Sequence, residues 1–269
     1  MESSLDLGLV DSYLLFCQYR EECNKNSVMD LAKCDWLYPT SLLPLIAFMK
    51  EKKDSITYNP PLLQEVNNYI KLIMGEIDPV YKLSSYLPIV SLPSSIQEQD
   101  NVLKKIYDCH NNGKYFGGEN AFKYMIGELV GNIYEHSKFN NAFVMAQHYG
   151  KRSENPFAEI SFFDDGITIP GSYAKVGMVF EDDEALIRAI NGLSTRGKER
   201  GFGLGTNVRL VTEGFKGQIL VVSRNAAILI GKGVQNLYKL SEPHILQGTL
   251  ISVRIPISEK EVQLYDYIN

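Results

Sequence analysis

Glu128 and Asn132 stand four residues apart, a spacing that on an α-helix projects both side chains from neighbouring points of one face. A carboxamide oxygen in such a pair can ligate a hard cation such as Mg²⁺, and the carboxylate can orient or deprotonate a water or hydroxyl. A solvated helix edge is the competing reading of the same two residues. Downstream, Asp164 is followed by Asp165 and Gly166. An acid at a strand end beside a glycine turn can accept a hydrogen bond from a ligand amine, although an ordinary Asp-Gly turn has the same appearance. A third stretch, STRGKERGFGLGTN at 194–207, sets Gly201, Gly203 and Gly205 at alternate positions behind Lys198 and Arg200. Glycines let a backbone approach an anion closely, and N–H groups opening the next helical run would point at it.

These residues need elements to hold them. Phe122, Ile126, Leu129, Val130 and Ile133 recur at helical spacing, so the pattern predicts a helix over 120–137 with one buried stripe. Residues 159–163 read as a strand running directly into the Asp164 turn, and 206–213 read as the helix opened by the glycine loop. A late strand contains Gly248, Thr249, Leu250 and Ile251 and ends at Pro256. In the first third the pattern is strand (28–31), helix (40–53), strand (56–58), helix (62–73), the helices carrying Leu42, Leu45, Ile46, Met49, Val66 and Ile70 on single faces. Pro79, Pro88 and Pro93 with several serines mark a boundary, placing one α/β domain over 1–95 and a second over 96–269. One strand is expected near 89–92 and a helix from about 102. Residues 111–119 are a glycine-rich loop.

The 269 residues suffice for two cores, and 45% apolar with 22% charged residues is an ordinary globular composition. A formal net charge of -5 gives no basic footprint for nucleic acid. Cys17, Cys23, Cys34 and Cys109 show neither a CxxC pair nor zinc-ligand spacing, which favours reduced thiols over a metal site. Acids rather than bases near the N-terminus, and no apolar run of about 20 residues, predict a soluble cytoplasmic protein without a membrane span.

Taken together and in this order, Glu-x-x-x-Asn on a helix, Asp-x-Gly after a strand and GxGxG opening a helix resemble the GHKL family, the Bergerat-fold ATP-binding domain of gyrase, heat-shock chaperone ATPases, histidine kinases and MutL. The resemblance covers about 120–256. It implies an α/β fold of the α+β two-layer type, with a mixed sheet covered by helices on one face, and it implies ATP and Mg²⁺. It further implies Asn132 as Mg²⁺ ligand, Asp164 as the adenine-reading acid and Gly166 as its turn glycine, with Ile169 also among the nucleotide-binding residues. Gly201, Phe202, Gly203, Leu204 and Gly205 would be the phosphate loop, Lys198 a cation near the terminal phosphates, and Thr249 a support of the adenine pocket. The family's second glycine after the acid is Thr168 here, so this turn must accommodate a side chain. Residues 171–193 would form part of an ATP lid, its acidic run at 181–184 a solvated helix start.

Glu128 resembles the general base of the family's ATPases and anti-sigma-type serine kinases, where sensor histidine kinases generally carry asparagine. Residues 28–52 more loosely resemble the core of a STAS domain. The positions matching its phosphorylated Asp-Ser pair are Tyr38 and Pro39, and Thr40 or Ser41 is expected to cap the following helix. The resulting expectation is an ATP-dependent regulatory switch, acting on a protein partner or a second copy through the N-terminal domain or the lid. Hydrolysis with Glu128 as catalytic base, phosphotransfer to a partner's serine or threonine, and a non-enzymatic nucleotide-responsive scaffold all remain open.

Overall fold

Val144, Ala146, Ala158, Ile160 and Phe162 belong to one apolar core, and their chain neighbours Phe143, Met145 and Phe163 to another. This period of two, apolar on both faces, is the signature of strands buried on both sides. The structure, a computed structural model, describes residues 8–73, 86–95, 98–150, 155–193, 195 and 203–268. In chain order its elements are α1 (Leu9–Asn26), β1 (Val28–Asp30), α2 (Pro39–Glu51), β2 (Thr57–Asn59), α3 (Gln64–Ile73), β3 (Tyr86–Ser91), α4 (Gln99–Cys109) and α5 (Glu119–Asn132). There follow β4 (Ala142–Tyr149), β5 (Phe157–Asp164), α6 (Ile169–Lys175), α7 (Asp182–Ile190), α8 (Leu204–Arg209), β6 (Gln218–Arg224), β7 (Ala226–Gly231), β8 (Val234–Lys239) and β9 (Leu246–Pro256).

Strands β3 to β9 form a seven-stranded sheet in the order β3-β4-β5-β9-β6-β7-β8, while β1 and β2 make a separate parallel pair. A mixed sheet is expected from the family resemblance, but every described pairing in the large sheet is antiparallel. The connections explain this: β4–β5, β6–β7 and β7–β8 are neighbours in both chain and sheet, and β9 returns between β5 and β6, antiparallel to both. The α+β class is as expected, although helices lie on both faces of this sheet where one covered face was expected.

Helices α4, α5, α7 and α8 cover one face of the sheet, contributing Ile106, Phe122, Ile126, Leu129, Leu186 and Val208 to its core. On the opposite face lie α1, α2 and α3, whose Phe16, Leu42, Leu45, Ile46 and Ile70 pack with Phe143, Met145, Leu220 and Leu250 of the sheet. The compositional boundary near residue 95 falls just after β3, which is itself paired to β4 in the large sheet.

Helix α2 shows how the N-terminal layer is keyed to the sheet. Its N-cap is Tyr38, with Pro39 at the start of the helix, where a missing N–H costs nothing. Thr40, expected as a cap, instead lies inside the first turn and donates from both its N–H and its hydroxyl to Glu159 Oε1, at 3.0 and 2.7 Å. The other carboxylate oxygen accepts from Arg254 at 2.6 Å, and Arg254 lies over the Tyr38 and Phe157 rings. Glu159 is fully buried, so its charge is supportable only because both oxygens are occupied. Thr40 and Ser41 are themselves fully buried, which keeps their hydroxyls from any modifying enzyme while the protein is folded.

Candidate functional site

Helix α5 is shorter than its periodicity suggests. It ends at Asn132 and passes into a single π turn, Ile133–Ser137, closed by Lys138 at φ 51°. π turns of this kind re-aim side chains at the end of a helix. Here the turn brings His136 and Ser137 round to the cavity that Glu128 and Asn132 already line.

The cavity has a volume of about 400 Å³, within the range of small-molecule sites. Of the residues singled out by spacing or resemblance, Glu128, Asn132, Asp164, Ile169, Gly203, Leu204 and Thr249 all line it. Lys198, Gly201 and Phe202, together with Arg200, lie outside the described residues. Gly166 and Gly205 do not line the cavity; both are held by close backbone packing. A Cβ on Gly166 would stand 2.1 Å from the Ser137 carbonyl oxygen, and one on Gly205 would stand 2.5 Å from that of Ile190. Gly203 differs, since a Cβ there would meet nothing within 4 Å.

Three adjacent strands build the inner end. Asp164 on β5 is paired in register with Thr249 on β9, which in turn is paired with Ser223 on β6. Ser223 Oγ lies 3.1 Å from Thr249 Oγ1 and accepts from the Ile169 N–H at 2.9 Å, pinning the start of α6 to the sheet. Thr168, where the family pattern has glycine, takes an ordinary φ of -67° and caps α6, its hydroxyl accepting from the Gly171 N–H at 3.1 Å. The turn needs no second glycine. Asp165 has a different task from its neighbour: its carboxylate accepts from the N–H groups of Asn140 and Asn141 and from the Asn141 side chain, each at 2.8 Å.

Asp164 is 4% exposed, and Oδ1 accepts from the Gly166 N–H at 3.0 Å. Burial pushes its pKa up to about 7, with the Gly166 N–H opposing and the Asp165 charge adding to the rise. A carboxyl poised there can change between acceptor and donor near neutral pH.

The side wall comes from α6 and α7. Tyr173 and Leu193 line it, and the Tyr173 hydroxyl donates to the Leu193 carbonyl at 2.5 Å. Thr195 Oγ1 lies 3.5 Å from His136 Nδ1, a contact between the segment after α7 and the end of the α5 segment. The acidic run at the start of α7, expected to be solvated, is partly anchored: Asp182 lies 3.5 Å from Arg224 and Asp183 lies 3.0 Å from Lys239. With Ala185 and Leu186 fully buried, α7 belongs to the packed body of the protein.

Ser137, Ile167, Thr168, Tyr173, Leu193 and Ile251 also line the cavity without having been singled out as ligand-facing residues. Ile251 was recoverable, because it stands two places after Thr249 on one strand and therefore shares its face. Tyr173 and Leu193 were not, since only folding brings α6 and the end of α7 over the cavity.

No family model matches the chain, and no curated protein matches it. Among solved structures it is similar to the histidine kinase domain from Erythrobacter litoralis EL346 blue-light activated histidine kinase. The identity is 12%, over 92% of this chain and 94% of that one, with a TM-score of 0.28. A likeness at that score supports no inference about activity.

Proposed function

We propose that the cavity binds ATP with Mg²⁺, in the manner of a GHKL module, and that the chain is a nucleotide-dependent regulatory switch. The observation that carries this reading is convergence. Glu128 and Asn132, Asp164, Gly203 and Leu204, and Thr249 come from four separate parts of the chain and line one cavity. A buried acid occupies its inner end. Asp164, ionised, would accept from the amino group of the base, supported by Thr249 and Ser223. The open space at Gly203 would admit the phosphates. Asn132 offers a neutral oxygen donor, which suits a cation that takes one or two protein ligands and fills its other positions with phosphate oxygens and water. Bound there, the cation would neutralise phosphate charge.

Glu128, on the same face as Asn132, would accept a proton from an attacking water. Hydrolysis is the leading reading. A partner's serine or threonine hydroxyl could stand in the same place, and release of inorganic phosphate, as against a labelled partner, separates the two outcomes. The contact between Thr195 and His136 supports coupling: nucleotide that moved the segment after α7 would alter a surface available to a protein partner.

The test uses the purified protein with Mg²⁺ and ATP. Glu128→Ala should keep nucleotide binding while turnover falls about 10²- to 10⁴-fold, the usual contribution of a general base. Asn132→Ala should weaken Mg²⁺-dependent binding by about tenfold or more. Calorimetry and phosphate release measure both, and turnover unchanged in the Glu128 variant would remove it from the reaction.

A further inference from the structure

The two edges of the seven-stranded sheet are finished differently. At one edge β3 contains Pro88, which has no N–H to offer, and its pairing with β4 slips between Leu87 and Val90. Proline and irregular register both discourage a strand from adding to an edge. At the other edge β8 has neither device. It pairs with β7 in unbroken register from Val234 to Lys239, and all its residues except half-buried Tyr238 are exposed. Val234 and Leu237 are 40% and 37% exposed, apolar side chains on a strand that reaches the core only through Tyr238.

The hairpin determines which backbone groups face outward. The Leu240 N–H donates to the Asn225 carbonyl at 2.7 Å, so these two residues form a hydrogen-bonded pair continuing the β7–β8 register. Such pairs alternate along an antiparallel ladder. Tyr238, Asn236 and Val234 therefore turn their N–H and C=O groups toward β7, and Gln235, Leu237 and Lys239 turn theirs to the open edge.

These three outward residues are centred on Leu237, which makes the edge self-complementary. A two-fold axis at Leu237 sets it opposite its own copy and sets Gln235 opposite Lys239, each pair exchanging two backbone hydrogen bonds. The charges agree with this register. Lys239 meets a glutamine rather than another lysine, and its ammonium is already held by Asp183 at 3.0 Å.

We propose that β8 of one copy pairs antiparallel with β8 of a second copy about a two-fold axis at Leu237, joining the two sheets into one continuous sheet. The partner this edge fits is the chain itself, and the interface is independent of the nucleotide reading.

The experiment uses the full chain. Sedimentation velocity and light scattering over a concentration series should show a monomer–dimer equilibrium. Leu237→Cys should form a disulfide-linked dimer on mild oxidation, because the two Cα atoms of a symmetric hydrogen-bonded pair lie about 5.5 Å apart, within disulfide reach. Gln235→Cys, whose partner in this register is Lys239, should not, and the wild type, with buried Cys17, Cys23 and Cys34, runs beside them as the background. Leu237→Lys should be monomeric while keeping the circular dichroism of the folded chain, and its melting temperature, unlike that of the wild type, should not depend on protein concentration. A wild type that stays monomeric throughout overturns the proposal. So does a dimer that survives Leu237→Lys and is not cross-linked through Leu237→Cys, since it uses another surface.

Discussion

Asp164 sits almost fully buried with a pKa raised to about 7, and that has two consequences of opposite sense. An unfolded chain ionises this carboxyl near its ordinary 3.8, so the stability associated with the group is present below that value and is lost as pH rises through about 7. Ligand binding runs the other way, because an amino group donates only to the ionised form. Nucleotide affinity should therefore fall about tenfold between pH 8 and pH 6, following the ionised fraction. Asp164→Asn should abolish that pH step together with most of the binding, while raising the melting temperature of the unliganded protein at pH 8. Calorimetric titration and thermal melts across pH check both halves. Asp164, Glu128 and Asn132 were legible in the sequence because each belongs to a short pattern whose geometry follows from a helix period or a strand end, whereas Thr249 was reached only through the family resemblance. Ser223 carried no such mark, being one serine within an apolar strand, and only the pairing of β6 with β9 brings it beneath the site.

Among the elements, α7 and α8 define how the cavity is walled. The Gly205 position lies against the Ile190 carbonyl, whereas the Gly203 position opens onto empty space. Gly205→Ala should thus force the two helices apart and cost about 1–3 kcal/mol, as overpacking generally does. Gly203→Ala should leave the melting temperature nearly unchanged and act on nucleotide affinity instead. Chemical denaturation and binding measured on both variants separate wall from ligand surface. Existence and type of α2, α3 and α5 could be read from spacing, since each carries an apolar face, whereas α1, the longest helix, was not anticipated: its buried Leu9, Tyr13, Phe16, Cys17 and Cys23 are set among polar and charged residues. The end of α5 could not, because the π turn after Asn132 continues the helical pattern while changing its hydrogen bonding. The anchoring of α7 was equally hidden: the acids at its start are paired with Arg224 and Lys239, which are distant in sequence.

At the level of the whole molecule, one sheet serves two cores, and a pair of imidazoles, one buried and one half-buried, lies on the side that holds the site. His110 is fully buried against Phe116 and Phe122, with the His148 ring edge-on to it at 4.5 Å. Burial lowers the pKa of His110 to about 3, the nearby His148 adding to the effect, and that of His148 to about 4. Unfolded histidines take up a proton near 6.5, so stability is intact above that pH and is lost as pH falls toward the folded-state values. Acid denaturation should accordingly begin below pH 6.5. His110→Phe, which suits the surrounding rings, should flatten that limb; urea titrations from pH 4 to pH 7 measure the change in slope. The covering of the back face by α1 to α3 was not legible from composition. The proline-rich stretch signals a boundary in the chain, whereas Phe143, Met145 and Leu220 announce a second buried face only once their strands are paired.

Strand β5 carries one carboxylate to each side of the sheet: Glu159 to the N-terminal layer and Asp164 to the cavity. Side chains alternate along a strand, so their opposite destinations depend on the odd number of steps between them. Lengthening or shortening β5 by a single residue between them would carry one acid to the wrong side, leaving Thr40 and Arg254 without their acceptor or the cavity without its acid. Changes of two residues would preserve the parity. The segment between Glu159 and Asp164 is thus far less tolerant of insertions and deletions than of substitutions, and variation in its length is restricted to even steps.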